Sequence, residues 1–315
     1  MSRIHEALKK AEEERAINQA PGVAALPIDQ ATVVPVRGNV VQTVPPQHAT
    51  QAASAPVPGD YLRFDHLVAR CAHPHWNMDP NVNVFLAPDQ GAHGAEQFRT
   101  LRSRLYQLRN SQPLGILLVT SSVPGEGKTF VASNLAHAIV RQPDRRALII
   151  DGDLRCSRLH VQLGAPAAPG LSDYLLGEAD DVAVIQHGQE GNLCFIPGGK
   201  EVANPSELLS NGRLKILLDR MKPVFDWVIL DSPPCLPVAD ASLLADLCDG
   251  ILMIVRAGMT PSATAQRAAR ELAGRKVLGV VLNAVDKSHA YGSYYYQNYG
   301  YGRSDSEDLK KTGQS

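Results

Sequence analysis

Hydrophobic residues are unevenly distributed along this chain, and from about residue 93 they form short apolar runs separated by amphipathic stretches. Runs that are apolar throughout are typical of strands buried on both faces, and helices between them indicate a parallel sheet. We therefore predict an α/β fold with a doubly wound, mostly parallel sheet. The predicted strands are 114–120, 147–151, 193–197, 226–231, 250–255 and 277–283. The main helices are predicted to begin near Lys128, Pro205, Ala239 and Pro261.

The remainder of the chain lacks this alternation, and its composition divides it further. Residues 1–17 are predicted to form a short amphipathic helix. Residues 18–59, rich in Pro, Ala, Val and Gln, are predicted to be a disordered linker. Residues 60–92 form a connecting segment whose role the sequence leaves open. The folded domain is predicted to span residues 93–288, and residues 289–315 to form a flexible tail.

The first stretch of the predicted domain has the periodicity of a helix. One face carries four apolar residues, which are Phe98, Leu101, Leu105 and Leu108. Glu96, Arg99 and Arg102 follow one another at intervals of three and predict a single charged stripe on another face. Such stripes are most often simply solvated, so the pattern alone does not identify an interface.

Composition excludes several classes of protein. The net charge of −1 creates no strong field that would favour nucleic acid or an anionic membrane surface. The five cysteines are scattered and never spaced CxxC, which argues against a zinc or disulfide framework and for a reducing compartment. No apolar run approaches the roughly 18 to 20 residues that span a bilayer. These features predict a cytoplasmic protein.

A glycine-rich loop follows the first predicted strand, with the sequence "SSVPGEGKTF" at residues 121–130. Its small residues let the backbone wrap a phosphate chain, and the helix that follows adds oriented N–H groups. Lys128 is predicted to contact the phosphates, and Thr129 to bind Mg²⁺. Ser122 stands where the usual pattern begins with glycine. The predicted nucleotide-binding residues of this loop are Pro124, Gly125, Glu126, Gly127, Lys128, Thr129 and Phe130.

Three aspartates stand at the ends of two further predicted strands. Asp151 and Asp153 are two residues apart, so on an extended segment both carboxylates project to the same side. Asp231 ends the apolar run "WVIL" and is placed as the carboxylate that holds Mg²⁺ directly or through water. Because ligands bind at the carboxyl ends of parallel strands, we expect these side chains to face the glycine-rich loop.

This set of residues is compatible with three chemistries: phosphate transfer to a protein hydroxyl, ATP hydrolysis coupled to movement, and phosphorylation of a small molecule. A cluster of phenols bears on the choice, because six of the nine tyrosines fall within residues 291–302. The glycines and the lack of Leu, Ile and Val in that stretch indicate an exposed segment. The tyrosines are Tyr291, Tyr294, Tyr295, Tyr296, Tyr299 and Tyr301.

From Glu96 to Tyr301 the chain resembles a bacterial tyrosine kinase of exopolysaccharide biosynthesis, of the free-standing, exosortase-associated autokinase type. The resemblance rests on several motifs together: "PGEGKT" as Walker A, "LIIDGDLR" as Walker A′, "WVILDSPP" as Walker B, the segments "GLSDYLLG" and "NPSELL", and the tyrosine-rich tail. "EQFRTLR" fits the family's E-x-x-R-x-x-R oligomerisation pattern. The run "DLRCSRLH" departs from the family, which usually has a proline soon after that arginine.

The resemblance implies a P-loop kinase that uses ATP and Mg²⁺. Thr129, Asp153 and Asp231 would hold the metal, Asp151 would be the general base, and Asn283 would contact the adenine. The tail tyrosines would be phosphorylated in trans within a homo-oligomer. Its head-to-tail interface, which allows a closed ring, would use Glu96, Arg99 and Arg102.

The resemblance also implies a separate activator, a polysaccharide chain-length regulator of the inner membrane, that would recruit the protein peripherally. The alternative is a spatial-regulator ATPase of the septum-site or chromosome-partitioning type. Its loop carries an additional lysine where this chain has Val123.

Overall fold

The computed structural model describes residues 62–86 and 91–285. The predicted helix at 1–17, the predicted linker at 18–59 and the tyrosine-rich tail lie outside the described residues. The strands are β1 (Ile116–Ser121), β2 (Arg146–Asp151), β3 (Gln186–His187), β4 (Asn192–Ile196), β5 (Trp227–Asp231), β6 (Gly250–Arg256) and β7 (Val277–Asn283). The helices are α1 (Phe64–Val68), α2 (Gly91–Ser111), α3 (Lys128–Val140), α4 (Leu159–Leu163), α5 (Leu171–Leu176), α6 (Pro205–Leu209), α7 (Arg213–Met221), α8 (Asp240–Ala245) and α9 (Ser262–Glu271).

These strands form a seven-stranded sheet in the order β3-β4-β2-β5-β1-β6-β7. Every neighbouring pair is parallel except β3 and β4, which are antiparallel. The predicted doubly wound α/β fold is therefore confirmed. The short strand β3 was not predicted, because two residues are too few to produce a recognisable pattern.

The hydrophobic core has two layers, one on each face of the sheet. Strands β1 and β5 are buried along their whole length, as their unbroken apolar runs predict. One layer packs against α1 and α5 to α9, and the other against α2, α3 and α4. Strand β7 lies at an edge and is only partly covered, with Val280 and Leu282 more than half exposed.

Residues 62–86, whose role the sequence left open, are part of this domain. Phe64 and Leu67 are buried in one core layer, and Trp76 is buried in the other. The Asn134 side chain on α3 accepts a hydrogen bond from the Val84 amide at 2.9 Å. The folded domain consequently begins before the predicted boundary at residue 93.

Helix α2 packs on the domain through its predicted apolar face. Phe98 and Leu105 are buried, and Leu101 and Leu108 are half-buried against the same core layer. The first residue of α3 is Lys128, so the glycine-rich loop leads straight from β1 into a helix that is buried against the sheet. Among residues 62–86 and 91–285, no helix combines the length and the apolar character needed to cross a membrane.

Candidate active site

The loop between β1 and α3 has the backbone geometry of a phosphate cradle. Gly125 and Gly127 have φ values of 83° and 92°, a left-handed backbone conformation that residues with a Cβ rarely adopt. A Cβ added to Gly127 would also overlap the amide nitrogen of Asn283. The backbone conformation therefore favours glycine at residue 127, and a larger residue would also displace the Asn283 side chain. The loop ends at the N-terminus of α3, where free N–H groups and the helix dipole favour an anion.

Glu126 braces the loop from within. Its side chain is fully buried, accepts a hydrogen bond from the Val123 amide at 2.8 Å and accepts another from the Thr260 hydroxyl. Arg256 donates to the Gly125 carbonyl at 3.1 Å. The carboxylate of Glu126, predicted among the nucleotide-binding residues, is therefore engaged within the protein, which leaves its backbone N–H group for a ligand.

Asn283 and Phe130, the other predicted ligand contacts near this loop, lie beside it. The Asn283 side chain donates to the Glu126 carbonyl at 2.9 Å. The Phe130 ring packs edge-on against Phe98, with ring centres 5.9 Å apart. Both residues line a cavity of about 690 Å³ between α2 and β7. The predicted contact of Asn283 with adenine stays a prediction.

The three predicted aspartates converge next to the loop. Strands β2 and β5 are neighbours, and Asp151 is aligned with Asp231 across them. The Lys128 ammonium lies 3.2 Å from the Asp153 carboxylate, and both side chains are largely buried. Burial alone would lower the pKa of Lys128, but the carboxylates of Asp231 and Asp153 outweigh it, so the pKa is raised and the ammonium stays charged.

Asp151 is buried and well supplied with hydrogen bonds. One oxygen, Oδ2, accepts the Ser157 hydroxyl at 2.6 Å and the Leu159 amide at 3.1 Å, and Oδ1 accepts the Asp153 amide at 3.2 Å. Burial raises the pKa of Asp151, and the bonds from Ser157 and Leu159 offset part of that rise. Ser157 belongs to the run that departs from the family pattern, so the departing residue supports this carboxylate.

Asp231 is equally buried but less satisfied. Within the described residues, its Oδ1 has no hydrogen-bond partner. Burial raises its pKa to about 7, although the nearby Lys128 ammonium and Thr129 hydroxyl favour the charged form. A buried carboxylate oxygen without a partner is costly unless a ligand completes it. Oxygen donors are what Mg²⁺ prefers, so Asp231, Asp153 and Thr129 fit a magnesium ion.

Asp240 and Ser206 lie near the site but were not singled out from the sequence. Arg155 reaches Asp240 on α8 and Ser206 on α6, with distances of 2.6 Å from Nε to Asp240 and 2.8 Å from Nη2 to Ser206. Asp240 lies nine residues after Asp231 and belongs to no motif in the sequence. Ser206 belongs to the segment "NPSELL", which resembles the family, but the sequence assigned no role to this serine. No local signal could have paired residues 85 positions apart.

The predicted oligomerisation residues divide into two environments. Glu96 and Arg99 form an exposed ion pair at 3.0 Å. Arg102 instead turns toward α3 and donates to the Ala138 carbonyl at 2.5 Å. The predicted single stripe is therefore interrupted at Arg102, because α3 ends close enough for its orphan carbonyls to capture the guanidinium. The predicted phosphoacceptor tyrosines, Tyr291 to Tyr301, lie outside the described residues.

Known bacterial proteins resemble this chain in sequence. No protein-family model matches the chain. The sequence is 35% identical over 212 residues to the tyrosine-protein kinase ptk of Acinetobacter johnsonii, covering 67% of this chain and 29% of that protein. It is 32% identical over 216 residues to the tyrosine-protein kinase YwqD of Bacillus subtilis, covering 67% of this chain and 91% of YwqD.

Solved structures agree with these sequence matches. The kinase domain of the Escherichia coli tyrosine kinase ETK superposes with a TM-score of 0.60 at 35% identity, covering 69% of this chain and 84% of that chain. The chain matches less than a third of the length of ptk but most of YwqD. By its sequence, its fold and its likeness to YwqD over nearly the whole of that protein, the chain belongs to the family of bacterial tyrosine-protein kinases.

Proposed function

We propose that this chain is an ATP-dependent protein-tyrosine autokinase that uses Mg²⁺ and phosphorylates the C-terminal tyrosines of a neighbouring copy. One observation carries the proposal: Lys128, Asp153 and the incompletely bonded Asp231 converge at the mouth of a glycine cradle, on a chain of this family. A cradle with a buried ammonium and spare carboxylate oxygens suits the charge of a nucleotide triphosphate and its metal.

The residues have distinct roles in this reaction. Backbone N–H groups of residues 124–129 would bind the phosphate chain, and the Lys128 ammonium would neutralise charge on the group in transfer. Magnesium, when held by Thr129, Asp153 and Asp231, supplies further neutralisation. The tyrosine oxygen forms a bond to the γ-phosphorus while the bond from the γ-phosphorus to the leaving ADP oxygen breaks.

The phenol proton needs an acceptor in this step. A free phenol has a pKa near 10, so a base assists the transfer at neutral pH. Asp151 accepts three hydrogen bonds, whereas two carboxylate oxygens offer about four lone-pair sites. One site on Oδ1 is therefore open for the proton, which supports Asp151 as the base.

Replacement of Lys128 with Met tests the proposal. The variant should lose at least about 100-fold in phosphate incorporation, because an ammonium directed at the transferring group contributes several kcal/mol. The control is Lys215→Met, which removes an exposed lysine on α7. Incorporation is measured with Mg-ATP and mapped by mass spectrometry. Full activity in the Lys128 variant would refute the nucleotide site.

Deletion of residues 291–302 separates a kinase from a spatial-regulator ATPase. For a kinase that modifies its own tail, the deletion should remove most of the incorporated phosphate and leave nucleotide binding intact. For the ATPase, steady-state hydrolysis and ATP-dependent dimerisation would be indifferent to it. The absence of phosphate from Tyr291 to Tyr301 under every activating condition would refute the tail as substrate.

We further propose that the kinase assembles into a homo-oligomer that tail phosphorylation loosens. Six phosphates would add roughly −9 to −12 charges to one tail, which the carboxylates of a neighbouring site would repel. Arg99→Ala should reduce the mass of the oligomer, as measured by light scattering. It should not lower the melting temperature, because Arg99 is exposed. Arg102→Ala should also destabilise the fold, since it removes a contact to α3. An unchanged mass after Arg99→Ala and after full phosphorylation would refute both the interface and the switch.

Activation by a polysaccharide chain-length regulator of the inner membrane is proposed from the resemblance of the sequence motifs. It would place a cytoplasmic kinase at the membrane through that partner and connect phosphorylation to exopolysaccharide polymerisation and export. Co-sedimentation with membranes that contain or lack the regulator tests this recruitment. Equal sedimentation with both would refute it.

A further inference from the structure

We propose that Asp240 and Ser206 are positioning residues that hold Arg155 and thereby fix the loop of residues 152–158, which carries Asp153. The inference rests on the proposed phosphotransfer for its kinetic consequence. Its structural consequence can be measured without any reaction.

The contact is a closed set of hydrogen bonds between three separate parts of the chain. Arg155 donates from Nε to Asp240 Oδ2 at 2.6 Å and from Nη2 to Oδ1 at 3.1 Å. Nη2 also donates to the Ser206 hydroxyl at 2.8 Å, and Ser206 in turn donates to Asp240. A planar guanidinium held at two edges has one permitted orientation, which a point charge would not impose.

The burial of the two partners differs, and the difference shows which one is the anchor. The Asp240 side chain is 1% exposed, whereas that of Arg155 is 41% exposed. Asp240 is the first residue of α8, so a packed helix fixes its position. Burial would raise the pKa of Asp240, but the bonds from Arg155 and Ser206 outweigh it and lower the pKa. A rigid carboxylate that is charged at neutral pH thus holds an arginine side chain that is itself partly exposed to solvent.

The loop held by Arg155 includes the carboxylate that faces Lys128. Asp153 accepts the Cys156 amide at 3.0 Å and pairs with Lys128 on its other oxygen. The loop attaches to β2 through hydrogen bonds to Asp151 and to β5 through the Gly152 amide, and the Arg155 side chain links it to α6 and α8. Loss of this link would let Asp153 shift relative to the phosphate cradle of residues 124–129. Among the described residues, no hydrogen bond joins Arg155 directly to that cradle.

The kinetic consequence is a split between kcat and KM. Asp240→Asn keeps the shape of the side chain but loses its charge, so it leaves no unpaired buried carboxylate. We expect kcat for tail phosphorylation to fall on the order of 10-fold to 100-fold, because small misplacements of a reacting group are costly. KM for ATP should change less than about threefold, since the cradle of residues 124–129 is untouched. Ser206→Ala should show the same split with a smaller loss.

The chain contains a matched control at the other end of the same helix. Asp246, directly after α8, accepts a similar fork from Arg275 at 2.7 and 3.2 Å, but its side chain is 58% exposed. Asp246→Asn therefore removes the same kind of ion pair far along the helix from the loop. It should leave kcat, KM and the exchange of the loop amides unchanged.

Amide hydrogen exchange of the nucleotide-free protein is the deciding measurement. In Asp240→Asn, the peptide covering residues 152–159 should exchange at least about tenfold faster, because its amides bond to Asp151 and Asp153 only while the loop is held. Peptides of α3 and the sheet should exchange as in the wild type. Equal exchange of the loop in a folded Asp240→Asn protein, or a uniform increase throughout the domain, would overturn the proposal.

Two further outcomes are separable. If Asp240→Asn does not fold, Ser206→Ala carries the same test, and unchanged loop exchange together with unchanged kcat in that variant overturns the proposal. If the wild-type protein never phosphorylates its tail, the proposed function fails. The exchange experiment still decides the positioning role, because it requires neither nucleotide nor acceptor.

Discussion

Asp151 and Asp231 occupy equivalent places on neighbouring strands, yet their surroundings give them different chemistry. They are aligned across β2 and β5 and are equally buried. Asp151 accepts three hydrogen bonds, while an oxygen of Asp231 accepts none from the described residues. Burial raises the pKa of both. Depth in the sheet thus sets the energetic cost of a charged carboxylate. Its hydrogen-bond partners decide whether its oxygens are available to a ligand or a proton.

The largest effect is expected from Asp231→Asn. If the free oxygen of Asp231 completes the metal site, an amide there removes a charged ligand, and phosphate transfer should fall at least about 100-fold. The apparent Mg²⁺ requirement for nucleotide binding should rise in parallel. Titration of nucleotide binding against Mg²⁺ measures it, with Asp219→Asn on the surface of α7 as the control. An unchanged requirement would contradict the assignment of Asp231 to the metal.

Asp151→Asn should affect both activity and stability. Asparagine has only one acceptor oxygen, so in either orientation its NH2 group faces at least one of the three donors, which should cost about 1–3 kcal/mol of the free energy of unfolding. Loss of a general base should also lower kcat by about 100-fold or more and remove the rise of kcat with pH that the base produces. Chemical denaturation and a pH–rate profile check the two effects. A variant that is less stable but retains the pH profile would assign Asp151 a purely structural role.

A pH dependence of stability should also distinguish the nucleotide-free wild type from Asp231→Asn. The pKa of Asp231 is about 7 in the folded protein and near 3.9 in an unfolded chain. Below pH 4 both states hold the proton, and between these values only the folded state holds it. The wild type should therefore lose stability relative to the variant as pH rises from about 4 to 7, with no further change above.

Melting temperatures across this pH range measure the difference. Asp219→Asn corrects for the general effect of removing a carboxylate. A difference that stays constant from about pH 4 to 7 would contradict the raised pKa and would show that Asp231 is ionised in the folded protein throughout this range.

The sequence was sufficient to predict most elements of the sheet and the edge of the sheet at which the candidate site lies. Six strands were predicted within about two residues of their observed limits, because an apolar run buried on both faces is a local property. The glycines of residues 125 and 127, the lysine after them and the aspartates at strand ends are also local. Parallel topology then brings them together, since carboxyl ends of parallel strands share one edge.

What the sequence could not determine is how each group at that edge is held. The bond from Thr260 to Glu126 joins residues 134 positions apart, and the fork from Arg155 to Asp240 joins residues 85 positions apart. Asp151 and Asp231 look alike as strand-end aspartates, but only the packed structure separates a carboxylate with three hydrogen bonds from one with an oxygen that accepts none from the described residues. Sequence periodicity records which residues are buried. Hydrogen-bond partners depend on the distances between chain segments, and tertiary packing alone fixes those distances.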